Sequence, residues 1–308
     1  MIVGNRGTPL LRGTKPIGYE SSVIAAPGHL LLEYVLGYTP NIPGTTATRI
    51  SEGPNIWDIY APATSWDNLL AEPEGNLNNN YLTAIIDANF INVTSAKGMC
   101  KYCARLRRIN FSNTFNVTNM SELFRGCGYL NIVNWFDTSK VTDMSYMFFT
   151  ASSLSSYSLS LVEVPFFDTS NVTTMRGMFY GQGGLTSVPL FNTSKVTDMS
   201  LMFGTANPGV LFNLTTVPLF DTSNVTTMEG MFTSRRGLIS VPLFDTSKVT
   251  NMSYMLNECY SLTSIPLFDL TAVTDMDFMC FMTNKVETGA LDLYNRAASK
   301  VNVPSHIS

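Results

Sequence analysis

The sequence predicts an α/β repeat fold, a solenoid of about nine coils in which short parallel strands alternate with short helices, preceded by an irregular amino-terminal arm. The first observation is a motif that recurs with a basic period of 24 residues, lengthened twice to 31 and 29. Its copies begin at Val93, Val117, Val141, Val172, Val196, Val225, Val249 and Val273, with a weaker one at Ala63. The second observation is a segment of the form "LTSVPLF" that recurs in step with the motif. Repeats of this length typically stack on their neighbours to bury a shared core.

The motif half of each copy predicts a helix of about two turns. In one copy the apolar residues are Val172, Met175, Met178 and Phe179, which would share one face of an α-helix. The preceding "DTS" predicts a turn and cap, because its oxygens can accept the unpaired amides of a helix start.

The other half of each copy predicts a short strand. In "LTSVPLF" we expect Leu185, Val188 and Leu190 to point into the core. Pro189 is tolerated if it lies at the end of the strand.

Three regions follow from the limits of this periodicity. Residues 1–56 are rich in Gly and Pro and predict a docking arm that orders on a partner, a small irregular domain, or a linker. Residues 57–285 form the predicted solenoid, and residues 286–308 a capping helix and tail. A helix that docks onto another protein is the alternative for the last region.

Charge and hydropathy narrow the classes of partner. The net charge of −4 gives no basic surface for nucleic acid or an anionic membrane. We identify no apolar run that could span a membrane and no export signal or anchor. These observations predict a protein without a nucleic-acid or membrane partner.

No catalytic residue, cofactor site or metal site is predicted, and we expect no enzyme activity. His29 and His306 are the only histidines, so the usual general bases are absent from the repeats. The stacked Asp and Asn residues of the "DTS" turns are assigned to turn formation rather than to calcium. The cysteines are expected to be buried thiols, with a Cys103–Cys127 bond as the alternative.

Two groups of residues are candidates for an interaction surface. The first lies in the insertions that lengthen two copies and comprises Tyr157, Leu159, Asn207, Leu211 and Phe212. The second is a neutral hydroxyl strip on the strand half, Thr186, Ser187, Thr215 and Thr216, with Arg107 and Arg108 near its amino-terminal end. Insertions on one face of a repeat array often mark a binding face. Tolerated loop variation and simple solubility are the alternatives.

The repeat also carries a family resemblance. The pattern "FDTSNVT.M..MF..C..L" resembles the repeat of BspA-like bacterial surface proteins and mycoplasma lipoproteins, a branch of the leucine-rich-repeat group. Similar arrays occur in tail or fibre proteins of gut bacteriophages, and "VETGALDLYNRAASK" resembles the helical end of those arrays. The resemblance implies a leucine-rich-repeat-like solenoid, and with the crossover rule it implies a right-handed one.

The resemblance also implies a function. It points to a non-enzymatic structural or adhesion protein of a virion, in a tail, fibre or head decoration. Residues 1–56 would contact other virion proteins, and the solenoid would recognise a host glycan or surface protein. A bacterial cell-surface adhesin and a purely structural spacer are the alternatives, and a homo-oligomer is left open.

One position of the repeat alternates between Lys and Asn. Its occupants are Asn116, Lys140, Asn171, Lys195, Asn224 and Lys248. Stacked copies would bring like charges to about 5 Å, where they repel each other by roughly 1 kcal/mol even in water. We therefore predict that the alternation keeps the lysines apart.

Overall fold

A computed structural model describes residues 25–51, 55–71, 81–150, 161–206 and 213–283. Its strands are β1 (His29–Tyr34), β2 (Thr46–Ser51), β3 (Asn55–Tyr60), β4 (Leu82–Ala88), β5 (Arg108–Ile109) and β6 (Ile132–Val133). They form one mixed six-stranded sheet in the order β2-β3-β1-β4-β5-β6. The pairs among β1, β2, β3 and β4 are antiparallel, whereas β4, β5 and β6 run parallel.

The prediction of an α/β solenoid with short helices is therefore wrong. Within the described ranges the only helical element is a single 3-10 turn, Thr114–Asn116. No helix in those ranges is long and apolar enough to cross a membrane.

The irregular amino-terminal arm is also a wrong prediction for residues 25–51, since this segment supplies β1 and β2. Leu30, Leu31 and Leu32 of β1 are buried, and the strand lies between β3 and β4 inside the sheet. The frequent Gly and Pro residues of this segment predicted irregular structure and so obscured the apolar strand pattern of β1. The buried carboxylate of Asp87 fastens the segment by accepting the Ala25 amide at 2.8 Å.

Successive copies of the motif lie side by side in register. One residue of each copy, two positions after its Val, is bridged in parallel to the equivalent residue of the next copy. The bridged residues are Ser65, Ser95, Asn119, Asp143, Thr174, Asp198, Thr227, Asn251 and Asp275. The 24-residue period thus corresponds to one step of a stack.

The motif half forms consecutive turns because its amides donate alternately to the next copy and within their own copy. The amides of Met175 and Gly177 donate to the carbonyls of Asp198 and Ser200 in the next copy, at 3.0 and 2.8 Å. The following Met178 amide donates to the Met175 carbonyl three residues earlier, and the Phe179 amide again donates to the next copy. An α-helix directs every amide to the residue four positions earlier. In the motif half, about every second amide therefore donates to the neighbouring copy, where an α-helix would use a carbonyl of its own segment.

A left-handed residue in every copy enforces these turns. Five positions after the Val, φ lies between 54° and 61°, a conformation that an α-helix does not contain. The residues are Asn68, Gly98, Glu122, Tyr146, Gly177, Leu201, Gly230, Tyr254 and Phe278. The predicted apolar set is nevertheless buried, because Val172, Met175, Met178 and Phe179 all lie in the core.

The core continues from copy to copy as a column of stacked rings. Phe148, Phe179, Phe203 and Phe232 have successive centroid distances of 5.7, 5.8 and 5.7 Å with nearly parallel planes. Equivalent side chains of adjacent copies thus pack directly on one another.

The strand half differs from its prediction at one position. Leu185 and Val188 are buried as expected, but Leu190 is 60% exposed and Phe191 takes the inward place. In later copies the amide of Phe220 donates to the carbonyl of Pro218 at 3.0 Å, which forms a three-residue turn centred on Leu219. Phe244 and Phe268 repeat this bond. The turn directs the Leu outward and keeps this half from forming a regular strand.

Candidate functional site

Exposed apolar side chains of the described copies form a row that we call the apolar ladder. It consists of the residue that precedes the buried Phe in six successive copies: Trp135, Phe166, Leu190, Leu219, Leu243 and Leu267, which are 55% to 65% exposed. Copies in parallel register are spaced by about 4.8 Å, so the ladder is about 24 Å long. Its exposed apolar area is on the order of 600 Å², at the upper end of what a monomer usually leaves uncovered.

The predicted hydroxyl strip lies in the same copies as the ladder. Thr186, Ser187, Thr215 and Thr216 are all exposed, three or four positions before a ladder Leu. The Thr186 amide donates to the Val162 carbonyl of the preceding copy at 3.2 Å. The strip therefore supplies neutral polar groups beside the apolar row.

The two arginines at the amino-terminal end of the strip have other contacts. Arg108 forms an ion pair with Glu33 of β1 at 2.8 Å, which ties β5 to the antiparallel part of the sheet. Arg107 is exposed and lies over the ring of Tyr129, 5.7 Å from its centroid.

The insertion residues of the predicted site, Tyr157, Leu159, Asn207, Leu211 and Phe212, lie outside the described residues. Their role as a binding surface stays a prediction.

A column of turn residues follows the ladder, two positions after each ladder residue. Its members are Asp137, Asp168, Asn192, Asp221, Asp245 and Asp269, and each accepts the amide of the residue two positions later at 2.8 to 3.2 Å. Hydrogen bonds from the Ser223 hydroxyl and amide lower the pKa of Asp221, and Ser247 does the same for Asp245. The Ser170 amide and hydroxyl lower the pKa of Asp168. These carboxylates are therefore charged at neutral pH.

The segments that hold the ladder carry only acidic charge, while Lys140, Lys195 and Lys248 follow members of the turn column by three positions. The six segments from "LNIVNWFD" at 130–137 to "LTSIPLFD" at 262–269 contain Glu163 and the five Asp residues of the column, with no Lys or Arg. No group of three or more His, Cys, Asp or Glu side chains within the described ranges is arranged to hold a metal ion. The surface thus combines apolar, hydroxyl and carboxylate groups.

Three of the five cysteines occupy one structural position of the repeat. Cys103, Cys127 and Cys259 are buried thiols, and each donates to a main-chain carbonyl of the preceding copy, at 3.0, 3.0 and 3.2 Å. Burial raises the pKa of Cys259 to about 12. Thiols of this kind are unreactive, and the alternative of a Cys103–Cys127 disulfide is wrong.

Arg235 occupies the same position in its copy and is fully buried. Its guanidinium donates to the carbonyls of Phe203, Gln182 and Phe179, so it links three copies. Burial lowers the pKa of Arg235 to about 9. The contacts make it a structural residue of the stack.

Sequence reasoning missed the apolar ladder because it placed Leu190 in the core. A signal was present, since every copy from Trp135 onward has two adjacent large apolar residues where extended backbone turns only one of them inward. The backbone turn at Pro218 to Phe220 decides which of the pair is exposed.

Comparisons with known proteins agree with the mycoplasma part of the resemblance. Residues 94–208, 159–234 and 185–293 match the family described as "Mycoplasma protein of unknown function, DUF285". Neither a curated protein nor a solved structure matches the chain. Because the matched segments together run from residue 94 to 293, more than half of the 308 residues, the chain belongs to this mycoplasma-type repeat family.

Proposed function

We propose that this chain is a non-enzymatic recognition module that binds a partner protein through the apolar ladder. The observation that carries the proposal is the ladder itself, six large side chains in successive copies, each more than half exposed. Large exposed apolar patches rimmed by polar groups are typical of protein interaction sites.

The geometry favours a protein over a glycan as the partner. Four of the six ladder residues are Leu, and aliphatic side chains offer a sugar neither an aromatic face nor a hydrogen bond. The backbone turns that hold Leu219, Leu243 and Leu267 keep the surface ordered before binding. A preorganised surface loses little conformational entropy when a partner docks.

We further propose that the module is carried on a virion, as part of a tail, fibre or head decoration, with residues 1–56 contacting other virion proteins. The resemblance of the repeat to arrays of gut bacteriophages supports this location. The second candidate is a cell-surface adhesin, which the match to the mycoplasma family favours. Immunogold labelling of purified particles and protease shaving of intact cells distinguish the two locations.

The binding proposal is tested by placing charges on the ladder. We expect the double variant Leu219→Asp and Leu243→Asp to lose attachment of the labelled chain to host cells or particles, with an unchanged thermal midpoint. Leu36→Asp is the matched control, because Leu36 is 72% exposed and lies outside the ladder. Wild-type attachment by the double variant would rule the proposal out and favour a structural spacer.

A further inference from the structure

We propose that the partner contributes an amphipathic α-helix whose apolar stripe is flanked by Lys or Arg and lies along the apolar ladder. This inference rests on the proposed recognition function and adds the chemistry of the partner. It is argued from the spacing of the ladder and from the charge beside it.

The spacing of the ladder fits a helix better than an extended segment. Its residues recur about every 4.8 Å, and the apolar stripe of an α-helix recurs with a pitch of about 5.4 Å. Alternate side chains of a strand recur about every 6.7 Å, so a strand would lose register after one or two steps. Over the whole ladder a helix drifts by only about 3 Å, and about 16 residues are enough to cover it.

The charge beside the ladder is net acidic and favours a cationic partner. Asp221, Asp245 and Asp269 are exposed two positions after ladder residues in successive copies, and no base lies in the same segments. Lys248, three positions after Asp245, donates its ammonium to the side-chain oxygen of Asn224 at 2.7 Å. A helix with Lys or Arg at the edge of its apolar stripe would place cations near these carboxylates. Such complementarity speeds association and selects the partner.

The same charges disfavour a second copy of this chain whose ladder packs antiparallel to the first. Two ladders packed in opposite directions would bring the Asp column of one copy against the Asp column of the other. Like charges in an interface are unfavourable, whereas a cationic helix meets the column with opposite charge.

The test uses the full chain and three synthetic peptides of about 18 residues. The first has an apolar stripe flanked by Lys, the second has Glu in place of Lys, and the third has the composition of the first in scrambled order. Binding is measured by isothermal titration calorimetry at low and high salt. We expect only the first peptide to bind, with an affinity that falls as salt rises.

Variants of the chain locate the binding site. We expect Leu219→Asp with Leu243→Asp to weaken binding of the first peptide by at least about tenfold. Substituting Asp221→Asn, Asp245→Asn and Asp269→Asn together should weaken it about three- to tenfold and reduce its salt dependence. Asp275→Asn is the control, since this exposed Asp lies in the motif half of its copy.

The outcomes separate this inference from the proposed function. Equal binding of the three peptides, or binding that ignores the ladder variants, would overturn the helix proposal. Ladder-dependent dimerisation in sedimentation experiments would also overturn it and assign the surface to a second copy. If the peptides fail while the ladder variants still abolish attachment to cells or particles, the recognition function stands and only the helical partner is rejected.

Discussion

The left-handed position of the repeat holds glycine in three described copies and a larger residue in the other six, and contacts between copies explain Gly177 and Gly230. The ring of Tyr146 lies against Gly177, and the side chain of Leu201 lies against Gly230. A Cβ atom at Gly177 would lie 2.5 Å from the Tyr146 ring, and one at Gly230 would lie 2.7 Å from Leu201. The close approach of the preceding copy requires glycine at these two positions, since larger residues adopt the same positive φ in other copies.

Replacing one of these glycines tests the packing of adjacent copies. We expect Gly177→Ala to lower the free energy of unfolding by about 2 to 4 kcal/mol, because strain at positive φ and overpacking add together. Gly37→Ala is the control and should cost only about 1 kcal/mol, since nothing lies within 4 Å of its added Cβ. Urea titration measures both. Adding Tyr146→Ala should recover part of the loss, and strict additivity of the two changes would contradict the contact.

Hydrogen bonds join the alternating Lys and Asn residues, for which the sequence predicts an electrostatic cause. The Lys195 ammonium donates to the side-chain oxygen of Asn171 at 2.6 Å, and the Asn171 amide donates to the Ser139 carbonyl at 2.7 Å. Lys140 with Asn116, and Lys248 with Asn224, repeat the Lys-to-Asn bond. Each Asn therefore connects the Lys of the following copy to the backbone of the preceding one.

Replacing the Asn partners by Lys tests this chain of bonds. We expect Asn171→Lys with Asn224→Lys to reduce stability by about 1 to 3 kcal/mol, because hydrogen bonds are lost and like charges become stacked. Thermal midpoints at low and high salt separate the two causes, because salt restores only the stability lost to charge repulsion. An unchanged midpoint would leave the alternation without an energetic explanation.

Among the elements of the fold, the "DTS" turn gives the stack a dependence on pH. Asp168, Asp221 and Asp245 have lowered pKa values in the folded chain because Ser amides and hydroxyls donate to their carboxylates. The unfolded chain binds protons more readily than the folded chain at these groups. Their stabilisation is therefore present above the ordinary Asp pKa of about 4 and is lost as pH falls through the lowered values.

An acid titration checks this dependence. We expect the thermal midpoint to fall below about pH 4, and to fall less in a variant with Asp168→Asn, Asp221→Asn and Asp245→Asn. Asn is a suitable replacement because Asn192 already forms the same turn and accepts the Ser194 amide at 3.2 Å. Identical acid profiles for the variant and the natural chain would show that these turns do not cause the loss.

For the whole molecule, the stack is held by bonds between copies rather than by independently stable elements. The far-ultraviolet circular dichroism of the full chain tests this description. We expect no strong helical double minimum, because the described copies contain turns and one mixed sheet. A spectrum dominated by α-helix would contradict the fold and restore the α/β prediction.

Much of the candidate surface could be read from the sequence, but its central feature could not. The hydroxyl groups at Thr186 and Thr215 are exposed in the copies where they were expected. The adjacent apolar pair Leu190 and Phe191 was ambiguous, since either residue could fill the core. A local backbone turn determines which of the two is exposed, and the residue types alone do not predict that turn.

The sequence by itself determined the register of the copies and the identity of the core. The spacing of residues along the chain reveals both the period of 24 and the buried set of Val172, Met175, Met178 and Phe179. Any stack of copies must bury its apolar residues at this spacing. Only the tertiary structure decided the backbone of the copies, because a helix and a series of turns can bury the same four side chains. The amides of Met175 and Gly177 donate to carbonyls of the next copy. Hydrogen-bond partners more than 20 residues away cannot be predicted from the hydrophobic pattern of one repeat.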